Sequence, residues 1–204
     1  MTVMRTWILN FGRMTSLWVI LALIVTLNVS WLLTLSAFGS QFEQVAGFLP
    51  IDLQNTSSLL TATQAIDQIM TYSSEARLFY WVFFILDNLM PPLVFGALSL
   101  LWAYFLSRRK NRWTDLLIAS PFLLIPWGVG VFDWFENLCF VVVVSDPSAA
   151  NALQLMELGL IFTRIKAGFL FATFGLTFVV TGYFLLTLML RIVRPARRQG
   201  VLSA

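Results

Sequence analysis

The 204-residue chain contains no histidine. That removes histidine-ligated haem, histidine metal sites and Ser-His-Asp catalysis together. Its single cysteine, Cys139, supports neither a disulfide framework nor a cysteine metal cluster. No G-x-x-x-x-G-K run is present to cradle phosphates. On these grounds no metal and no cofactor is expected. Charge is scarce as well: 11% of the residues are charged, against about 25% in a soluble domain. An ordinary water-soluble fold is therefore excluded.

What the chain has instead is long apolar runs, with 59% hydrophobic residues overall. The hydrocarbon core of a bilayer, about 30 Å thick, takes about 20 apolar residues per crossing helix. Four stretches qualify, at 16–38, 78–106, 116–144 and 159–190. The first is too long for the apolar part of a signal peptide, about 7–15 residues, and is read as a span. The expected fold is all-α: one polytopic membrane domain over residues 1–204, a bundle of four transmembrane helices.

The net charge of +3 follows a topological pattern. Arg5 and Arg13 precede span one, and Arg108, Arg109, Lys110 and Arg112 join spans two and three. Arg191, Arg194, Arg197 and Arg198 follow span four. The link 39–77 carries Glu43, Asp52, Asp67 and Glu75 against Arg77 alone. The positive-inside rule then places both termini and the basic link in the cytoplasm. The basic balance is an orientation signal, so nucleic acid is not an expected partner.

The outer link is long enough to hold structure of its own. Thr61 and Gln64 fit a capping box. Behind them Ala62, Ala65, Ile66, Ile69 and Met70 recur at helical spacing. An amphipathic helix over 62–76 is predicted, its apolar side covering the outer ends of spans two and three. Residues 48–53, ahead of it, read as an extended connection.

Polar residues inside the spans are few and expensive, so each needs a partner or a function. In span one, Asn28 suits a bond to a neighbouring helix. Span two carries Asp87-Asn88 and then Pro91-Pro92, which leave the carbonyls of Asp87 and Asn88 without their helical donors and predict a kink. Span three is expected to open at Thr114 or Asp115 and to bend near its prolines and glycines. It then carries Asp133, Glu136 and Asn137, which the i, i+3, i+4 spacing puts on one face. Trp134 and Phe135 point elsewhere. Span four has Gly168, Gly175 and Gly182 at a seven-residue period, which suits close approach of another helix. Arg164 shares that glycine face, whereas Lys166 lies about 200° around from Gly168. Counted from the outer helix ends, Asp87, the Asp133 stripe and both cations fall at a similar depth, about 8–18 Å in. The candidate site is therefore Asp87, Asn88, Asp133, Glu136 and Asn137, with Lys166 or Arg164 as the counter-charge.

The pattern resembles a family of uncharacterised bacterial four-span membrane proteins. The resemblance rests on Ala65-Ile66-Asp67, the Glu75–Tyr80 run, Asp87 with Pro92, Phe132-Asp133-Trp134-Phe135-Glu136-Asn137, and Phe162-Thr163 with Lys166. Its D-x-x-E-N element is the specific part. The resemblance implies a four-helix fold in the bacterial inner membrane and points to Lys166 over Arg164. It implies no activity. A looser similarity is to the four-span fold of sterol isomerases and the sigma-2 receptor, whose acidic residues line a lipid-accessible cavity. This chain lacks the histidine such isomerases use.

Two functions are carried forward. The first is a binding or interaction protein whose polar site holds helices, a lipid or a membrane-protein partner. The second is an intramembrane enzyme on a lipid or isoprenoid, with Asp133 and Glu136 as acid and base. A small transporter fits less well, because four spans show no internal repeat. Expected partners are membrane lipids, another membrane protein or a second copy of the chain.

Overall fold

The computed structural model describes residues 2–55, 60–108 and 111–200, with the side chains of the last helix described to residue 190. Arg109, Lys110 and the side chains of Arg191, Arg194, Arg197 and Arg198, on which the charge pattern leans, lie outside the described residues. Every regular element described is helical. In chain order they are α1 (Thr2–Met14), α2 (Leu17–Ala46), α3 (Ile51–Asn55), α4 (Ala62–Met70), α5 (Ser74–Ser107), α6 (Arg112–Ala119), a 3₁₀ turn (Pro121–Leu124), α7 (Ile125–Ser145) and α8 (Ala152–Gly200). Four helices are long and apolar enough to cross a membrane: α2, α5, α7 with its 3₁₀ turn, and α8. The protein is an all-α integral membrane protein.

Burial separates these four helices into two kinds. In their most apolar stretches, 61% of α5 and 56% of α7 residues are buried, against 6% in α2 and 11% in α8. α5 packs between α2 and α7, and α7 packs along α8. α5 and α7 are thus the centre, and α2 and α8 the flanks that meet lipid.

Several boundaries differ from the sequence reading, each for a local reason. The predicted third span is two helices. Asn111, not Thr114 or Asp115, caps α6, in a reciprocal box with Thr114. Pro121 disfavours helical backbone at Ser120, which is extended at φ −80°, ψ 169° and turns its hydroxyl to the Phe122 N–H. The predicted helix over 62–76 stops at Met70, because Ser73 caps a new helix through the Ala76 N–H. The Thr61–Gln64 capping box forms as expected. α2 runs on to Ala46 and ends at Gly47, whose φ of 76° suits glycine. Ile51–Asn55 is helical, not extended. The N-terminal residues form α1, crossing α5 so closely that a Cβ on Gly12 would lie 2.8 Å from that of Ala103. α5 continues as one helix through Pro91 and Pro92.

The apolar core is in two parts. At one end Ala65 and Ile69 of α4 belong to one buried cluster with Tyr80, Phe140, Val144 and Met156, and α4 packs chiefly against α8, which the sequence reading did not name, rather than against α5 and α7. At the other end Ile8, Ile20, Trp102, Leu123 and Val129 form a second cluster. Between them, along α5, α7 and α8 alike, comes a polar layer.

Candidate functional site

The polar layer begins on α7. Pro126, Val129, Gly130, Asp133, Glu136, Asn137 and Phe140 are all buried, a stripe with the period of a helix face turned toward its neighbours. Asp133, Glu136 and Asn137 are 4%, 0% and 3% exposed. Three buried polar side chains in a bilayer demand partners, and α5 and α8 supply them. On α5, Asp87 is buried too, and its Oδ2 accepts from Asn137 Nδ2 at 2.7 Å. The same amide nitrogen donates to Asp133 Oδ2 at 3.1 Å. On α8, Lys166 Nζ lies 3.0 Å from Asp133 Oδ1 and pairs also with Glu136 Oε2. Thr163, one turn before Lys166, donates its hydroxyl to Glu136 Oε1 at 2.8 Å. One network therefore joins three helices: Asp87 to Asn137 to Asp133 to Lys166 to Glu136 to Thr163.

Five of the seven predicted site residues meet here: Asp87, Asp133, Glu136, Asn137 and Lys166. Two do not. Asn88 turns its amide back to the Phe84 carbonyl of its own helix, 2.6 Å away. Arg164 is exposed, and the two ion pairs found among the described residues both use Lys166. The glycine face that Arg164 shares is open: a Cβ on Gly168, Gly175 or Gly182 would meet nothing within 4 Å. Asn28 likewise bonds within α2, to the Ile24 carbonyl at 2.8 Å, and among the described residues to no neighbouring helix.

Two contributors were not assigned to the site from the sequence. Thr163 sits on the Lys166 face by i, i+3 spacing, a signal that was there to be used. Trp134, 45% exposed, points outward, yet its indole N–H donates to the Asn88 carbonyl at 2.7 Å. That is the carbonyl which Pro92 leaves without a helical donor. An unsatisfied carbonyl in hydrocarbon is costly, and the indole answers it from the next helix.

The network is not sealed. Asp87, Asp133, Thr163 and Lys166 form the floor of a cleft of about 520 Å³ between α2 and α8. Trp31 and Leu35 of α2 line one side, and Ala167, Leu170 and Phe171 of α8 the other. A second hollow of about 350 Å³ adjoins it at Trp31, Pro91 and Phe95 and reaches Leu98 and Phe174. Glu136 and Asn137 sit behind the floor. The arrangement ties three helices together, sets one ammonium against two of the three carboxylates, and leaves Asp87, Asp133 and Lys166 bordering the cleft. No family model matches the chain, and neither a curated protein nor a solved structure is detectably similar to it.

Proposed function

We propose that this membrane protein is a binding protein that takes an amphipathic lipid into the cleft between α2 and α8. The observation carrying this reading is the cleft itself, apolar on its walls and polar on its floor. An apolar concavity with a few converging polar groups is the usual form of a small-molecule site. Its flanks are the two helices least covered by protein, so acyl chains have lateral access. In the bacterial inner membrane, with both termini cytoplasmic, the α4 end faces outward and the α6 end inward.

The test is lipid retention. Protein purified in a mild neutral detergent is expected to carry a lipid in stoichiometric amount, seen by native mass spectrometry and identified after extraction. Filling the cleft from its walls, with Leu35→Trp or Ala167→Trp, should release that lipid while the melting temperature without lipid is kept. A lipid-free wild type, or retention unaffected by both fillings, would overturn the reading.

An intramembrane enzyme on a lipid or isoprenoid stands second, with a changed pair of residues. Glu136 is fully enclosed by Lys166 and Thr163. Asp87 and Asp133 both border the cleft and share the Asn137 amide. Two carboxylates in unlike surroundings can divide acid and base roles. A folded Asp133→Asn protein that retains its lipid but no longer converts it would favour this reading.

A further inference from the structure

The first helix, α1, presents three different sides to its surroundings. At about 100° per residue, Ile8, Gly12, Arg5 and Leu9 share one sector about 100° wide, and all are buried or half-buried. Thr6, Asn10 and Arg13 share a second sector, about 60° wide, and all are exposed. Val3, Met4, Trp7, Phe11 and Met14 share the third, about 100° wide, and they too are exposed. The first side belongs to the bundle: α1 packs on α5 and on the 3₁₀ turn, Ile8 joins the second core cluster, and Arg5 donates to the Ala119 carbonyl. The second side is polar. The third is wholly apolar, with the Trp7 and Phe11 rings stacked 5.7 Å apart. A helix between protein and water needs two such sides. A third side, apolar and exposed, calls for a third medium.

The position of α1 identifies that medium. Gly12 meets Ala103 of α5, Arg5 meets Ala119 at the end of α6, and Phe122 just beyond stacks on Trp102. Both ends of α1 thus lie at one level of the bundle, and the helix runs across it. That level is close to the end of the bundle, because from Ala103 to Ser107, where α5 ends, the rise is about 6 Å. Amphipathic helices lying in a bilayer surface sink their apolar side about 5–10 Å into the boundary between head groups and acyl chains. Only Thr15 and Ser16 separate α1 from α2, a span that is itself little covered by protein. The third side of α1 is therefore joined to a surface that meets lipid. Trp7, Trp18 and Trp113 are all exposed at this end, as suits the head-group level. The exposed cations here, Arg13, Arg108 and Arg112, stand against Asp115 alone among the described residues, a surplus that suits anionic head groups.

We infer that α1 is an interfacial helix seated on anionic lipid of the leaflet at the α6 end, with its apolar side in the acyl boundary and Arg13 among the head groups. This surface is separate from the cleft, to whose lining α1 contributes no residue. The test uses the full-length protein in vesicles of phosphatidylcholine and phosphatidylglycerol. Single cysteines go to exposed positions only: Val3→Cys and Met14→Cys on the apolar side, Thr6→Cys and Asn10→Cys on the polar side. Each is combined with Cys139→Ala, or made with Cys139 left in place should that background fold poorly, since Cys139 is buried. Spin labels at these positions report collisions with oxygen, which concentrates in lipid, and with a nickel chelate, which stays in water.

Labels on Val3→Cys and Met14→Cys are expected about 5–10 Å below the phosphates. Those on Thr6→Cys and Asn10→Cys should meet the chelate. A fluorophore on Met14→Cys then reads the lipid beside it, through a nitroxide carried near the head of either phosphatidylglycerol or phosphatidylcholine. Quenching should favour the anionic lipid about fivefold, as one arginine near the surface implies, and Arg13→Gln should reduce that preference. Chelate contact at the two apolar positions would overturn the inference. So would contact with neither reagent there, because protein would then cover the stripe, whether a second copy or the C-terminal residues of the same chain. Oxygen contact without chelate contact at all four positions would put α1 inside the hydrocarbon and overturn it as well. Equal quenching by the two lipids would overturn the choice of anionic lipid.

Discussion

Lys166 and Arg164 stand two residues apart on α8, and the helix carries them into opposite surroundings. Lys166 is part-buried and paired with Asp133 and Glu136, while Arg164 is exposed on the outer surface. Glycine divides in the same way. On the Lys166 face, a Cβ on Gly159 would lie 2.5 Å from the Phe140 ring, so this glycine makes room for α7. On the Arg164 face, Gly168, Gly175 and Gly182 have nothing within 4 Å. The same residue types therefore do different work on the two faces of one helix. A cation is held inward by the carboxylates opposite it, and a small residue marks a close contact only where a side chain presses on it. Neither follows from the periodicity of α8 alone.

The largest effect should come from the paired cation. Lys166→Met leaves Asp133 and Glu136 without their ammonium, and breaking a buried pair costs about 3–5 kcal/mol. Arg164→Met, exposed, should stay within about 0.5 kcal/mol of wild type. Denaturant unfolding in detergent measures both. Adding Glu136→Gln to Lys166→Met should restore part of the loss, because an amide does not need a counter-charge. Equal effects at the two cations would erase the contrast between the faces.

Next comes the enclosed glycine. Gly159→Leu pushes a side chain into the space of Phe140, and overpacking of this kind costs about 1–3 kcal/mol. Gly168→Leu should cost no such penalty, and the difference in melting temperature between the two variants checks it.

The contrast also explains what could be read in advance. The stripe on α7 was legible because carboxylates in an apolar run are conspicuous and their i, i+3, i+4 spacing fixes a common face. The choice between Lys166 and Arg164 was not, because the glycine repeat pulled toward the wrong cation. α4 and its cap were legible from Thr61 and Gln64, but its end was not, since Ser73 is a modest signal inside a helical pattern. The break at Ser120 hid because Pro121 is tolerated at the first turn of a helix and could be read as a bend. Asn88 failed as a site residue because its short amide can satisfy itself on its own helix, a choice that spacing does not decide. The cleft was beyond the sequence entirely, since it depends on α2 and α8 standing apart across α5.

A smaller effect should mark the boundary between enclosed and exposed surface on α7. Trp134 has one side in the open and its indole N–H on the Asn88 carbonyl. Trp134→Phe keeps most of the apolar contact and removes the donor. A loss of about 0.5–1.5 kcal/mol is expected. Pairing it with Pro92→Ala, which gives Asn88 its helical donor back, should reduce the loss, and a thermodynamic cycle of the four proteins measures the coupling.

The smallest effect has the most to say about partners. Gly175 lies in the middle of a helix with no atom within 4 Å of where its Cβ would be. Glycine in a helix interior is less favourable than alanine by up to about 1 kcal/mol, through backbone entropy alone. If lipid is all that covers this face, Gly175→Ala should stabilise the protein slightly, and Gly175→Leu should be tolerated. If a second copy or another membrane helix docks there, both changes should weaken it, leucine more than alanine, because a small-residue face works by letting backbones approach. The expected result is a slight gain for alanine with the mass in detergent unchanged, by light scattering. A destabilised alanine variant with a loss of mass would mean that the open face of α8 is an interface, and the comparison between its two faces would become one between two kinds of contact.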